Sequence, residues 1–223
     1  MTPPSVARFA LVGVLALAGV GAIIPSAQAR APHTVSVTVR AAVRNLPVAT
    51  EHRKGYDRDK FADWFDADGD CRDTRDEVLA AESLVAVRGC DIQRGKWRSY
   101  YDGVVTREST TFDIDHLVPL AEVWDSGGRR WTADTRDRYA NDLGDRRTLV
   151  AVSASSNRSK GDQDPAEWMP ELARCTYVRQ WVAVKIRWHL SVDKTEKAKL
   201  TAMARACANL TITVRTAKVG RRG

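Results

Sequence analysis

Asp113-Ile114-Asp115-His116-Leu117-Val118-Pro119 sets an imidazole beside two carboxylates, and Asn157-Arg158-Ser159-Lys160-Gly161 later adds a neutral oxygen ligand beside two cations. Attack of water on a phosphodiester needs a base for the proton, a cation for the charge growing on the phosphoryl and leaving oxygens, and in-line placement. His116 can be the base, because an unperturbed imidazole with a pKa of about 6.5 is largely neutral at neutral pH. Asp115 can hold a hard metal through a carboxylate oxygen. Asn157 can add an amide oxygen without more negative charge. Magnesium takes one or two such protein ligands and keeps several waters, so a sparse set suits it; manganese is an alternative. Arg158 and Lys160 are candidates for contact with substrate phosphate.

These residues must be brought together by the elements around them. Neighbours on an ideal strand face opposite ways, so Asp115 and His116 serve one site only where the strand ends or bends. Pro119 cannot donate to a ladder and marks such an ending. Asp113 shares a face with Asp115 and could orient a water or cap the site. The β-branched and apolar run Val104–Val118 reads as strand, and Thr148–Val152 as the next. Ser155-Ser156 can cap a short helix carrying Asn157, closed by Gly161. Between the strands, residues 120–147 read as a polar excursion with a short helix over Arg136–Leu143; Arg129, Arg130, Arg146 and Arg147 could extend a basic surface there. Asp164-Pro165-Ala166-Glu167 has the pattern that opens another short helix.

Upstream, Asp73 with Asp76 three residues on predicts a helix start, and Gly89 its end. Downstream, Leu172, Cys175, Val178, Val182, Ile186 and Leu190 recur at steps of three and four. Asp193 and Glu196 form a capping box for a second helix with Leu200, Met203, Cys207 and Leu210 on one face. Cys175 and Cys207 lie nearly equidistant from the turn, so an antiparallel hairpin brings them within disulfide reach. Three pairings of the four cysteines are possible; the hairpin favours Cys175–Cys207, which leaves Cys71–Cys90. A zinc site is the rival use, but no C-x-x-C or clustered histidine accompanies them.

The chain begins like an exported one. Arg8 precedes an uncharged apolar run from Phe9 to Ile24, and Ala27-Gln28-Ala29 fits a small-residue cleavage site. Sixteen residues is short for a spanning helix, so a signal peptide over 1–29 is preferred to a membrane anchor, with no stable membrane association after cleavage. An oxidising compartment agrees with an even cysteine count. The chain holds 35 Lys and Arg against 28 Asp and Glu, a net charge of +7. That excess favours polyanions without identifying one.

Rival uses of single features are weaker. His33 and His52 sit in a linker-like stretch, and His189 on an amphipathic helix reads as structural. Asp66-Ala67-Asp68-Gly69-Asp70 with Glu77 invites a calcium loop, but Cys71 stands where such a loop requires Gly. Glu122 could support His116 or simply start a helix, and structure is favoured. Trp124, Trp131, Trp168 and Trp181 read as core rather than as stacking platforms. No paired-carboxylate or H-E-x-x-H pattern points to another hydrolase.

DIDHLVPL with NRSKG resembles the HNH (His-Me finger) nucleases, in particular secreted proteins related to the C-terminal domain of GmrSD restriction enzymes. The likeness extends over most of 56–210. It includes Cys71 with Thr74-Arg75, Gly95 with Trp97, Ala121-Glu122-Val123-Trp124, Ala140-Asn141-Asp142-Leu143, Ala151-Val152-Ser153 and Asp164-Pro165-Ala166-Glu167-Trp168. The resemblance implies an α+β fold built on a ββα-metal core. Asp115 and His116 would lie on its first strand, Thr148–Val152 would form its second, and Asn157 would sit on its helix. It implies His116 as general base and Asp115 and Asn157 as holders of one divalent metal, Mg2+ first and Mn2+ next. Thr148 stands where many such nucleases have an Asn that pins the loop around the catalytic His, and its hydroxyl could make a similar bond.

The expected organisation is a signal peptide over 1–29, a linker or N-terminal extension over 30–55, a nuclease domain over 56–212 ending in a helical hairpin, and a basic tail over 213–223. The expected function is secreted, metal-dependent endonuclease action on nucleic acid, DNA rather than RNA. The alternative is a catalytically inactive module on the same scaffold that binds nucleic acid or another polyanion.

Overall fold

A computed structural model describes Met1 and residues 32–221. The expected signal peptide therefore lies outside the described residues apart from Met1. In chain order the first elements are β1 (Thr34–Thr38), α1 (Val39–Asn45), α2 (Thr74–Glu82), β2 (Arg94–Arg98), β3 (Val105–Glu108) and β4 (Phe112–His116). They are followed by α3 (Leu120–Asp125), α4 (Ala133–Ala140), β5 (Leu149–Ser153), α5 (Ala154–Lys160), α6 (Arg174–Arg187), α7 (Lys194–Ala206) and β6 (Thr211–Arg215). The strands form three antiparallel pairs, β1–β6, β2–β3 and β4–β5. Helices with small antiparallel sheets make this an α+β fold.

Several boundaries follow local chemistry. Asp73 accepts from the Asp76 amide to start α2, and Asp193 accepts from the Glu196 amide to start α7. Ser153, rather than the serines after it, caps α5 by accepting from the Ser156 amide. The run expected as one strand over Val104–Val118 is broken by a 3-10 turn at Ser109–Thr111. There Thr111 and Thr106 hydroxyls bond each other and the Glu108 carbonyl, taking up groups a ladder would need. The helix expected near Arg136–Leu143 runs instead from Ala133 to Ala140, because Thr132 accepts from the Thr135 amide. Asp164 begins only a turn: its carbonyl accepts from the Glu167 and Trp168 amides and the chain then leaves. Leu172 and Leu210 lie outside α6 and α7 and are exposed.

The stretch expected as a linker or N-terminal extension packs against the rest of the chain. β1 pairs with β6 in register Val35↔Val214 and Val37↔Ile212, and Val39, Ala42, Val43 and Leu46 enter the main core. The tail is folded too, since Ala217 and Val219 are buried and Thr132 donates to the Gly220 carbonyl. Alternating buried and exposed residues along β6 explain the pairing, because each terminal segment alone leaves one apolar face bare.

The main core is aromatic. Trp131, Trp181, Trp188, Tyr101, Tyr139 and Tyr177 are almost wholly buried around α6. Trp124 and Trp181 belong to this core as expected, while Trp168 packs on its margin. A smaller cluster joins α2 to the outer face of β4 and β5 through Val78, Leu79, Trp97, Phe112, Ile114 and Leu149. Both preferred disulfides form, Cys71–Cys90 with Cα atoms 5.2 Å apart and Cys175–Cys207 with 5.7 Å.

Candidate functional site

The site is built where β4 ends against β5 and α5. The register pairs Asp113 with Val152, Asp115 with Val150 and His116 with Leu149. Asp113 and Asp115 share one face of β4, and α5 crosses that face. Asn157 and Lys160 are three residues apart and so lie on one side of α5. The Asn157 Nδ2 donates to Asp113 Oδ2 at 3.1 Å, and Lys160 Nζ donates to Asp115 Oδ1 at 2.7 Å. The loop before β3 adds the Tyr101 hydroxyl, which donates to Asp115 Oδ2 at 2.6 Å.

The two carboxylates differ in exposure. Asp113 keeps a side chain 29% exposed at the rim, with Arg158 Nε 3.6 Å away and its guanidinium in solvent. Asp115 is buried beneath. Burial raises its pKa, and the Lys160 ammonium and Tyr101 hydroxyl counter that by stabilising the carboxylate. Lys160 is fully buried, so it does not present the free cation expected for phosphate. It also donates to the His116 carbonyl at 3.0 Å, which ties α5 to the end of β4.

His116 turns to the opposite side of the strand. Its ring stacks on Trp64 with centroids 5.1 Å apart and on Tyr139 at 5.9 Å, and Nε2 lies 2.9 Å from the Ala140 carbonyl. A carbonyl can only accept, so Nε2 carries the proton and Nδ1 keeps the lone pair. Burial depresses the His116 pKa to about 3, the Ala140 carbonyl opposing and the Arg58 and Lys160 cations assisting. The neutral ring is therefore the form at neutral pH, and the same burial makes it a weaker proton acceptor than an exposed imidazole.

Two expected supports lie elsewhere. The Thr148 hydroxyl donates to Asp142 at 2.8 Å, but the Thr148 carbonyl accepts from the Leu117 amide at 2.9 Å, so the residue after His116 is pinned through the backbone. Asp142 is itself fixed by Arg187 Nε and Nη2 and by Trp188 Nε1. Glu122 makes its bonds to Lys185 and Ser126, away from His116. Sequence reasoning missed Tyr101, Trp64 and the Ala140 carbonyl. The adjacent Tyr100-Tyr101 before the Asp102-Gly103 turn was a signal for the first; nothing local marks the other two.

Residues 75–203 match the family described as GmrSD restriction endonucleases, C-terminal domain. The chain belongs to this family. A protein of Arthroderma benhamiae, named as an uncharacterized secreted protein, is 43% identical over 157 residues, covering 69% of this chain and 76% of that protein. No solved structure matches. The GmrSD C-terminal match contains all of β4, β5 and α5, and leaves β1, α1 and β6 outside its bounds.

Proposed function

We propose that this chain is an exported, metal-dependent endonuclease that hydrolyses phosphodiesters, DNA in preference to RNA, with β4, β5 and α5 acting as a ββα-metal (His-Me finger) core. The observation that carries the reading is the convergence of Asn157 and Lys160 of α5 on the Asp113 and Asp115 face of the strand that ends in His116. The donor set fits a hard divalent cation. Asn157 uses only its Nδ2 on Asp113, leaving the amide oxygen as a ligand atom, and a carboxylate bonded at both oxygens by Tyr101 and Lys160 retains lone pairs. Asp115 and Asn157 would hold Mg2+ or Mn2+, which supplies neutralisation of charge on the phosphoryl and leaving oxygens.

The protein groups divide the remaining work. His116 accepts the proton of the attacking water at Nδ1, with Nε2 anchored on Ala140. Asp113 orients Asn157 and Arg158. Arg158, exposed at the rim, contacts substrate phosphate. Lys160 braces Asp115 and the His116 carbonyl. Export is supported by the apolar leader with its small-residue cleavage pattern, by two disulfides, and by the name of the fungal relative.

One observation favours a second reading. His116 is enclosed by Trp64 and Tyr139, and Asp115 by Lys160 and Tyr101, as in a scaffold that binds nucleic acid without cutting it. Incubating the protein with supercoiled plasmid in Mg2+, in Mn2+ and in chelator separates the two. Nicking in metal that stops in chelator supports the nuclease; intact plasmid in every metal, with retained binding, supports the module.

A further inference from the structure

A second group of carboxylates lies away from the β4 site, where five segments meet. Val48 bridges Val192, and Ala49 donates to the Val192 carbonyl, which draws the segment after α1 along the entrance to α7. Glu51 is thereby brought to Asp193. Its ligand oxygen lies within 4.8 Å of those of Asp164 and Asp193, and likewise of those of Glu122 and Glu196.

Lys185 is the ammonium buried among these five acids, while Lys197 reaches Glu196 and Arg53 reaches Glu122 electrostatically from outside. Lys185 Nζ is fully buried and donates to Glu122 at 2.5 Å, Glu196 at 3.1 Å, Ser126 at 2.7 Å and the Ser191 carbonyl at 2.9 Å. Its capacity is exhausted on the Glu122 and Glu196 side. Among the described residues no ammonium hydrogen-bonds Glu51, Asp164 or Asp193, although Lys185 reaches Glu51 electrostatically; Asp164 accepts from the Ala166 amide and Asp193 from the Glu196 amide.

Two enclosed polar atoms lack a partner. Glu51 Oε1 is shut off from solvent and receives no hydrogen bond, although it sits among acids. The Tyr177 hydroxyl is fully buried and unpartnered, within electrostatic reach of Asp115 first and then of Asp164 and Glu196. An enclosed carboxylate oxygen with no donor among four other acids is costly unless a proton or a cation meets it.

We propose that Glu51, Asp164 and Asp193, with Glu122 beside them, form a structural divalent-cation site that takes Ca2+. All the named donors are carboxylate oxygens, and they come from separate segments. This suits the larger, geometrically tolerant Ca2+ better than Mg2+, which demands near-ideal octahedral geometry and retains its water. The ion fastens the N-terminal segment to the start of α7 and the Asp164 turn. Without it the acids hold protons instead: burial, with Glu122 and Asp193 beside it, lifts Glu51 to about 8, and burial lifts Glu196 to about 7.

The test is Ca2+ uptake by the purified, chelator-stripped chain near neutral pH, followed by calorimetry and by luminescence of Tb3+ excited through Trp181, whose Nε1 bonds Glu196. The expected result is a site filled by about 1 mM Ca2+, with a higher Tm and Tb3+ emission that Ca2+ displaces. Glu51→Gln removes no protein hydrogen bond and should still fold, while weakening uptake at least about tenfold. Asn157→Ala should leave uptake unchanged, which separates this site from the proposed nuclease centre. No uptake by wild type, equal uptake by Glu51→Gln, or uptake lost in folded Asn157→Ala would each overturn the proposal.

Discussion

Lys160 sets the state of the site at the scale of single residues. Its ammonium neutralises a buried carboxylate and holds the carbonyl of the residue that would act as base. Removing one member of such a buried pair leaves a charge without compensation, so Lys160→Met should cost about 3 kcal/mol or more in urea denaturation. A loss below about 0.5 kcal/mol, the scale of an exposed pair, would contradict the brace. Arg158 is the opposite case. Arg158→Ala should leave stability unchanged and raise KM for DNA several-fold with a weaker salt dependence, measured by plasmid cleavage between low and moderate salt. Unchanged KM would remove Arg158 from the substrate surface. Asp115, His116 and Asn157 drew notice in the sequence because DIDHLVPL and NRSKG occur together, and the structure brings the two segments into contact through Asn157–Asp113 and Lys160–Asp115. The inward turn of Lys160 was not legible, since a lysine in a basic turn reads as solvated until the facing strand is known.

At the scale of elements, helix starts were readable because caps are local: Asp73 and Asp193 each bond an amide three residues on. The hairpin of α6 and α7 was readable for the same reason, and with it the Cys175–Cys207 bridge. Opening that bridge by paired Ser substitutions frees a loop of 32 residues, which should cost about 3–4 kcal/mol and lower Tm measurably in calorimetry. An unchanged Tm would show that packing alone holds the hairpin. The 3-10 break before β4 was hidden, because it depends on Thr106 meeting Thr111.

The contact of α2 with β5 carries a pH dependence. Glu82 accepts from the Ala151 amide, and burial lifts its pKa to about 7 from 4.5. The folded chain thus binds more protons than the unfolded one between these values, so stability falls as pH rises from about 4.5 to about 7. Denaturation midpoints across that window should decline in wild type and decline less in Glu82→Gln. Equal slopes in the two proteins would place the titration elsewhere.

The whole molecule is closed by its ends. Val35 pairs with Val214, and α1 lays Val39, Ala42 and Val43 into the core shared with α6. Such pairing between distant segments leaves only a short alternating run in each, which is why the N-terminal stretch read as linker and the C-terminal one as tail. Deleting 32–46 would uncover this core face, and the thermal melt should lose cooperativity; a normal melt would return the segment to the status of an appendage. The proposed nuclease rests on how β4 meets α5: Asn157 and Lys160 bond Asp113 and Asp115 on one face of the strand, and His116 stands on the other. Plasmid nicking in Mg2+ by wild type and by folded His116→Ala and Asn157→Ala proteins examines that claim most directly. The account predicts cleavage by wild type, abolished by chelator and lost in both variants. Cleavage by His116→Ala at the wild-type rate would contradict it.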